Sequence, residues 1–388
     1  MLTHVCAGAT LAFAVHATKF APSWWEVPLL SRAPRARLPR VSIVVPARNE
    51  ERSIERCVRS LATQRFVEAE VIVVDDRSTD ATPDILARLA LEYPNVRVIH
   101  GGDLPDGWVG KPWALHQGTR IARGGWLLFT DADSVHAPAG VSSALAFALA
   151  ARCDVLSIAT HQEFGTFWER ATLPFILGMV LYASGTLAAL NDPLQPQRAL
   201  ANGQYILVTR AAYDAIGGHA ALRAEIAEDV QFARRMKADG RFRLLLGGGT
   251  RLASVRMYRA LPEIWRGFTK NVFVGAEGNL LALLGGATSM FVLSASPLLA
   301  ARAILRRRPY EAIEAVAATL AGIVTAWRGT RMVGMEPSTA VFQPFGMTFF
   351  GLIMLNSTFR VLSGRGVEWR GRRYSGRPTG AANVTGSA

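Results

Sequence analysis

Between Val41 and Ala150 short apolar runs alternate four times with helical patterns, and the joins between them are short. Val41–Val45, Glu70–Val74, Val96–Ile99 and Trp126–Thr130 read as strands, being apolar, brief and rich in β-branched or aromatic residues. Glu50–Thr63 reads as an amphipathic helix with Ile54, Cys57, Val58 and Leu61 on one face. Ser78-Thr79-Asp80 supplies a cap for a helix running through Leu91, and Lys111–Ala122 and Pro138–Ala150 complete the series. Such alternation predicts an α/β fold on a mostly parallel sheet. In open sheets of this kind ligands bind where the strands end.

The fourth strand ends abruptly in Asp131-Ala132-Asp133. Two acids there suit a hard divalent cation with oxygen ligands, or they are an ordinary turn. Other strand ends also carry chemistry. Pro46-Ala47-Arg48-Asn49-Glu50 closes the first strand and opens a helix, either as a ligand position at a helix N-terminus or as a plain turn. Asp75-Asp76-Arg77-Ser78-Thr79-Asp80 closes the second, offering acceptors for a base or ribose as well as helix caps. Glu228-Asp229 stands at the start of a later helix, where acids complement the dipole or act as a general base. Lys111 follows the Gly107-Trp108-Val109-Gly110 loop and can meet phosphate, although the loop lacks the spacing of a phosphate-loop motif. His100, His161 and His219 have no metal spacing and receive no role.

Beyond residue 150 the pattern changes. Ala171–Leu190 carries no charge, yet Pro174, Gly178 and Gly185 interrupt it. It reads as a buried or interfacial helical hairpin, either plain core or an entry for a lipid. Strands follow at Tyr205–Thr209, Phe242–Leu246 and Arg251–Val255, with a helix at Glu225–Lys237. Met257–Lys270 has the spacing of an amphipathic helix lying on a membrane. Leu280–Ala301 and Pro337–Phe359 are uncharged and long enough to cross a bilayer, and Ile313–Trp327 is a shorter apolar segment. Arginines follow each of the three, so their orientation stays open.

Composition agrees with a membrane setting. Charged residues make up only 19% of the chain, and the net charge is +13, nearly all from arginine. No nucleic-acid-binding signature accompanies that charge. Cys6, Cys57 and Cys153 form no disulfide framework and no zinc set, as expected of a reduced compartment. Residues 1–22 are a weak membrane anchor, 23–40 a basic linker, 41–258 the α/β domain, 259–279 an interfacial helix, 280–362 membrane helices, and 363–388 a basic, partly disordered tail.

Taken in order, the four acidic motifs resemble the family 2 glycosyltransferases of GT-A fold, over about Val41 to Lys270. The Gly107-Trp108-Val109-Gly110-Lys111 loop, the C-terminal apolar segments and Trp369-Arg370-Gly371-Arg372-Arg373-Tyr374 look like the membrane-associated subgroup acting on hopanoids and carotenoids. The resemblance implies that Pro46, Arg48, Glu50, Val74 and Asp76 line a nucleoside pocket. It implies Asp131, Ala132 and Asp133 at the diphosphate, with Asp133, and Asp131 beside it, on a divalent metal (Mg2+ or Mn2+). Asp229 would be the base, with Glu228 and Lys111 nearby and Asn202-Gly203-Gln204 beside the acceptor. Arg256 or Arg259 would add positive charge.

A Gln-x-x-Arg-Trp motif is missing, the nearest text being Glu263-Ile264-Trp265-Arg266, which favours single transfer over chain extension. The expected activity is metal-dependent, inverting transfer of one sugar from a nucleotide-diphosphate sugar, a UDP-sugar first, to a hydroxyl of a membrane lipid. The expected site is the cell membrane, multi-pass, with the catalytic domain in the cytoplasm. Two alternatives share the sequence features: a polyprenyl-phosphate sugar or polysaccharide synthase, and a non-enzymatic membrane protein that binds nucleotide.

Overall fold

The computed structural model describes residues 1–18, 24–276, 279–363, 367–369 and 372–374. After α1 (Leu2–Ala17) the expected alternation appears as β1 (Val41–Ala47), α2 (Ile54–Ala62), β2 (Ala69–Asp75), α3 (Thr82–Glu92), β3 (Val96–His100), α4 (Gly110–Ile121) and β4 (Trp126–Phe129). Then come β5 (Ser134–His136), α5 (Gly140–Ala150), β6 (Val155–Ala159), β7 (His161–Gln162), α6 (Phe167–Ser184), α7 (Leu187–Asn191), β8 (Ile206–Thr209), α8 (Arg210–Ala215), α9 (Glu228–Asp239), β9 (Leu244–Gly248) and β10 (Ala253–Val255). Five further helices close the chain: α10 (Leu261–Gly275), α11 (Leu280–Ser294), α12 (Ser296–Leu305), α13 (Pro309–Met332) and α14 (Gln343–Leu362). A short antiparallel pair, β11 (Val367–Trp369) and β12 (Arg372–Tyr374), follows.

Seven strands form one sheet in the order β3-β2-β1-β4-β8-β6-β9. β8 alone runs against its neighbours β4 and β6. The chain steps outward from β1 through β2 to β3, then returns to place β4 on the other side of β1. That reversal opens a crevice at the carboxyl ends of β1 and β4, the usual ligand position of an open α/β sheet. Apart from β3 at the edge, the strands are buried on both faces, which is why they read as largely apolar runs. Ile54, Cys57, Val58 and Leu61 of α2 are all fully buried against one side.

A second sheet, β5-β10-β7, is built from loops that leave the first. Gly247 and Gly248, expected in a turn, instead end β9, and the link from Gly249 leads to β10 in the other sheet. Residues 25–27, expected within a linker, instead run beside the end of β9. Val27 donates its N–H to Gly248 O at 2.8 Å and is buried in the core. A Cβ on Gly247 would lie 2.2 Å from the Trp25 ring, so a residue without a side chain is needed for that approach. The arginine-rich stretch after residue 30 is largely exposed.

The helices outside the sheets form a separate layer. α6, α10 and α11 pack on α14, and α1 and α12 pack on α13. Leu173, Ile176, Ile264, Phe268, Met290, Phe350 and Ile353 share one apolar cluster there. The stretch expected as a hairpin is split at Gly185, whose φ is 109°. α6 goes to α14 while α7 packs on β9, so its halves serve different layers. Among the described residues one helical run, Pro337–Arg360, is long and apolar enough to cross a membrane. α11 and α12 together would make a second, but they bend by 44° at their junction. The multi-pass arrangement expected from sequence therefore lacks support, because bends and the charges at the ends of α13 interrupt the apolar stretches. The tail beyond Ser375, expected to be disordered, lies outside the described residues, as do Arg370 and Gly371 of the late motif.

Candidate active site

The loops after β1 and β2 are stitched together by their own polar groups. Arg48 donates from Nη1 to the carbonyls of Asp76 at 2.7 Å and Arg77 at 3.4 Å. Asp76 N–H returns a bond to Ala47 O at 2.7 Å. Asn49, at φ 54°, donates its N–H to Ser78 Oγ and accepts from Thr79 N–H through Oδ1. Ser78 and Thr79 thus bind the first loop and do not cap α3. Only Asp80 reaches that helix, accepting from Thr82 N–H at 3.0 Å. Glu50 accepts from Ser53 Oγ at 2.9 Å, beside the start of α2.

Of the expected nucleoside-pocket residues, Pro46, Arg48 and Glu50 are half-buried and Asp76 is buried in this wall. The side chain of Val74 is fully buried beside Ile72 and Ala114, on the sheet face covered by α4.

The acids gather on the other side of β1. Lys111, in the first turn of α4, places Nζ 2.8 Å from Asp131 Oδ1 and 2.8 Å from Glu228 Oε1. Asp229 is fixed by two backbone donors: Gly203 N–H to Oδ2 at 3.0 Å and Val230 N–H to Oδ1 at 2.9 Å. A Cβ on Gly203 would sit 3.0 Å from both Asp229 Oδ2 and Lys111 Nζ, so glycine makes room for the two to share this space. Burial alone would lower the Lys111 ammonium, but Asp131, Glu228 and Asp229 outweigh it and hold the group well above the usual lysine range. Burial pushes the Glu228 carboxyl up; Asp229 adds to this and Lys111 opposes it.

Asp131 and Asp133 lie half-buried on the turn after β4. Ala132 between them is buried in the core. Cys57 of α2 donates its thiol to Asp131 O at 3.6 Å, tying the turn to the helix beneath. Burial, with the nearby carboxylates adding, drives that thiol well up, so it remains a donor. Among the described residues no group of three His, Cys, Asp or Glu side chains is arranged to hold a metal by itself. Two adjacent carboxylates nevertheless fit a hard cation that completes its shell with water and phosphate oxygens.

Behind this turn lies a polar network that the sequence did not announce. Thr130 donates to Gln204 O at 2.7 Å, and its hydroxyl lies 3.0 Å from His136 Nε2, which therefore carries the ring proton. Thr160 and Gln162 both donate to Gln204 Oε1. Asn202 is committed to the same turn, donating to Ile158 O and accepting from Gln204 N–H. His219 meets Tyr213 Oη at 2.9 Å and, with Lys111, Glu228, Asp229 and Phe129, lines a cavity of about 10 Å3. Burial, reinforced by Lys111 and His116, pulls its imidazole down to about 3. The two glycines before it, Gly217 at φ 80° and Gly218 at φ 53°, were the available signal.

Of the three cationic residues expected near a diphosphate, only Lys111 joins the acid cluster. Arg256 instead grips the buried Glu169 of α6 with Nε at 2.9 Å and Nη2 at 3.1 Å. Arg259 donates to Arg52 O at 3.3 Å.

Comparison with known proteins follows the same outline. The family model described as glycosyl transferase family 2 matches residues 42–230. The 4,4'-diaponeurosporenoate glycosyltransferase of Staphylococcus aureus strain USA300 is 27% identical over 340 residues, covering 86% of this chain and 88% of that protein. Among solved structures, the mannosyltransferase PcManGT from Pyrobaculum calidifontis, in complex with GDP-Man and Mn2+, aligns with a TM-score of 0.54 at 20% identity. That alignment covers 93% of this chain and 96% of the other, and it bears out the GT-A fold.

Proposed function

We propose, for a chain that carries a family 2 glycosyltransferase domain over residues 42–230, that it moves a single sugar from a nucleoside-diphosphate sugar to a hydroxyl of a carotenoid-type membrane lipid. The observation that carries this reading is the meeting, around Lys111, of the turn after β4 with the first turn of α9. Each turn supplies one half of a displacement: a place for the leaving diphosphate and a base for the attacking group.

Asp229 takes the proton from the acceptor hydroxyl. Its two backbone hydrogen bonds hold the carboxylate in one orientation, and each oxygen keeps further acceptor capacity. Attack from the side opposite the diphosphate inverts the anomeric carbon. Lys111 offers an ammonium to the leaving phosphates. Asp131 and Asp133 would hold a divalent metal, which when bound neutralises diphosphate charge. The stitched wall from Pro46 to Asp80 faces the nucleoside, presenting mainly backbone and the half-buried Pro46 and Glu50.

The apolar, carotenoid-type body of the acceptor follows the name of the Staphylococcus relative, itself that of a carboxylate, together with the exposed apolar helices of this chain; the hydroxyl follows from the reading of Asp229 as a base. The helical layer holds the protein at the cell membrane, and the α/β domain, with Cys57 and Cys153 free, faces the cytoplasm.

Full-length protein incubated with membranes and a panel of labelled UDP- and GDP-sugars tests the whole reading. Label should enter an apolar lipid, and Asp229→Asn should prevent it. Label in a growing polysaccharide, in a polyprenyl phosphate, or in no product at all would overturn the proposal.

A further inference from the structure

Lys111 stands where a cation at a helix end is least favoured. It is the second residue of α4, and the dipole of that helix repels positive charge at its N-terminus. What holds it there is the acid cluster: Asp131 Oδ1 and Glu228 Oε1 at 2.8 Å each, with Asp229 sharing the space left by Gly203. Glu228 is buried, so it needs a resident counter-charge whether or not a substrate is present. Asp131 is one of the two carboxylates that would also serve a metal.

We propose that Lys111 occupies the cation seat at Asp131 until a donor diphosphate draws it away, so that a divalent metal binds weakly alone and tightly with the donor. This rests on the reading of Asp131 and Asp133 as metal ligands. An ammonium at hydrogen-bond distance from Asp131 Oδ1 repels a second cation at the same carboxylate. The lysine stem is flexible, and phosphate oxygens are strong acceptors for its three donors. When Nζ turns to the diphosphate, Asp131 becomes available, and the diphosphate supplies the remaining oxygen ligands. Glu228 gives Lys111 a fixed pivot throughout. The acids are thereby never left without a counter-ion, and metal is recruited with the donor.

The test is Mn2+ binding by full-length detergent-solubilised protein, followed by the electron paramagnetic resonance of free Mn2+, with and without UDP or GDP. Lys111→Gln keeps the length and hydrogen bonding of the residue without its charge. It should bind Mn2+ alone about tenfold more tightly than wild type, and nucleotide should then add less. Lys111→Gln that binds Mn2+ alone no more tightly than wild type overturns the proposal. Wild type that binds Mn2+ equally well with and without nucleotide overturns it without any variant, which covers a variant that fails to fold. If neither protein binds Mn2+ even with nucleotide, the metal reading of Asp131 and Asp133 falls as well.

Discussion

The α/β domain and the helical layer place their apolar side chains differently. In the first, large apolar side chains such as Ile43, Leu128 and Leu207 are completely buried, and even polar groups such as Thr130 and Gln204 are paired inside. In the second, Ile313 is 68% exposed and Leu320 57%, on a stripe of α13 that also shows Val316, Val324 and Trp327. The acids of that helix point elsewhere: Glu311 accepts from Thr3 at 3.3 Å and Glu314 meets His4 at 2.6 Å, both on α1, while Arg331 at the far end lies over the Trp327 ring. A water-soluble protein rarely leaves such a stripe uncovered. The same apolar residue types thus build a core in one region and an exposed stripe in the other. The acids around Lys111 lie in the α/β domain, on the turn after β4 and the first turn of α9.

The sharpest break in this comparison is chemical. Asp229→Asn should lower transfer to a hydroxyl about 10^3-fold while donor binding, measured by calorimetry, stays close to wild type. An acceptor presenting a carboxylate has no proton to give and should escape most of that loss. The next effect is on packing. Leu128→Ala in β4 should cost about 2–5 kcal/mol in denaturant unfolding. Leu320→Ala on α13 should stay within about 0.5 kcal/mol. The paired change Ile313→Glu with Leu320→Glu should release the protein from lipid vesicles in a flotation assay. Equal stability losses for Leu128→Ala and Leu320→Ala would erase the proposed difference between the regions.

A smaller effect is set by pH and belongs to the α/β domain. His136 and His219 are both held down to about 3, His136 by burial and His219 by burial first, then the nearby positive groups. Above pH 6.5 both are neutral folded and unfolded, so they leave stability unchanged there. As pH falls from about 6.5 toward 3, the unfolded chain takes up their protons and the folded protein does not, so stability is lost. The loss should reach about 2 kcal/mol per histidine at pH 5, read from urea midpoints, and His219→Gln should flatten the slope. The smallest expected change is Gly203→Ala. Its methyl group would crowd Asp229 and Lys111 at 3.0 Å and should reduce turnover about tenfold with little change in melting temperature.

Much of the α/β domain was legible because buried parallel strands need unbroken β-branched runs, as at Val71–Val74. The positions of the acids were legible too, since each follows a strand or opens a helix. Arg48 shows where reading stopped. Its guanidinium could as well have faced a ligand, and only the approach of the second loop commits it to the carbonyls of Asp76 and Arg77. β5 and β7 escaped notice because strands of two or three residues carry no usable period. Arg256 found its partner, Glu169, 87 residues away on α6, a contact without local signal.

By itself the sequence determined which segments would be buried, because apolar runs and their period decide whether water can be left. It also determined that acids would stand at the ends of β2 and β4. The tertiary structure alone decided what those acids face. Placing β4 beside β1, and the first turn of α9 against Gly203 ahead of β8, brings Lys111, Asp131, Glu228 and Asp229 together from three distant segments. Charges act through space, so their meaning is fixed only when the chain has folded and their neighbours are known.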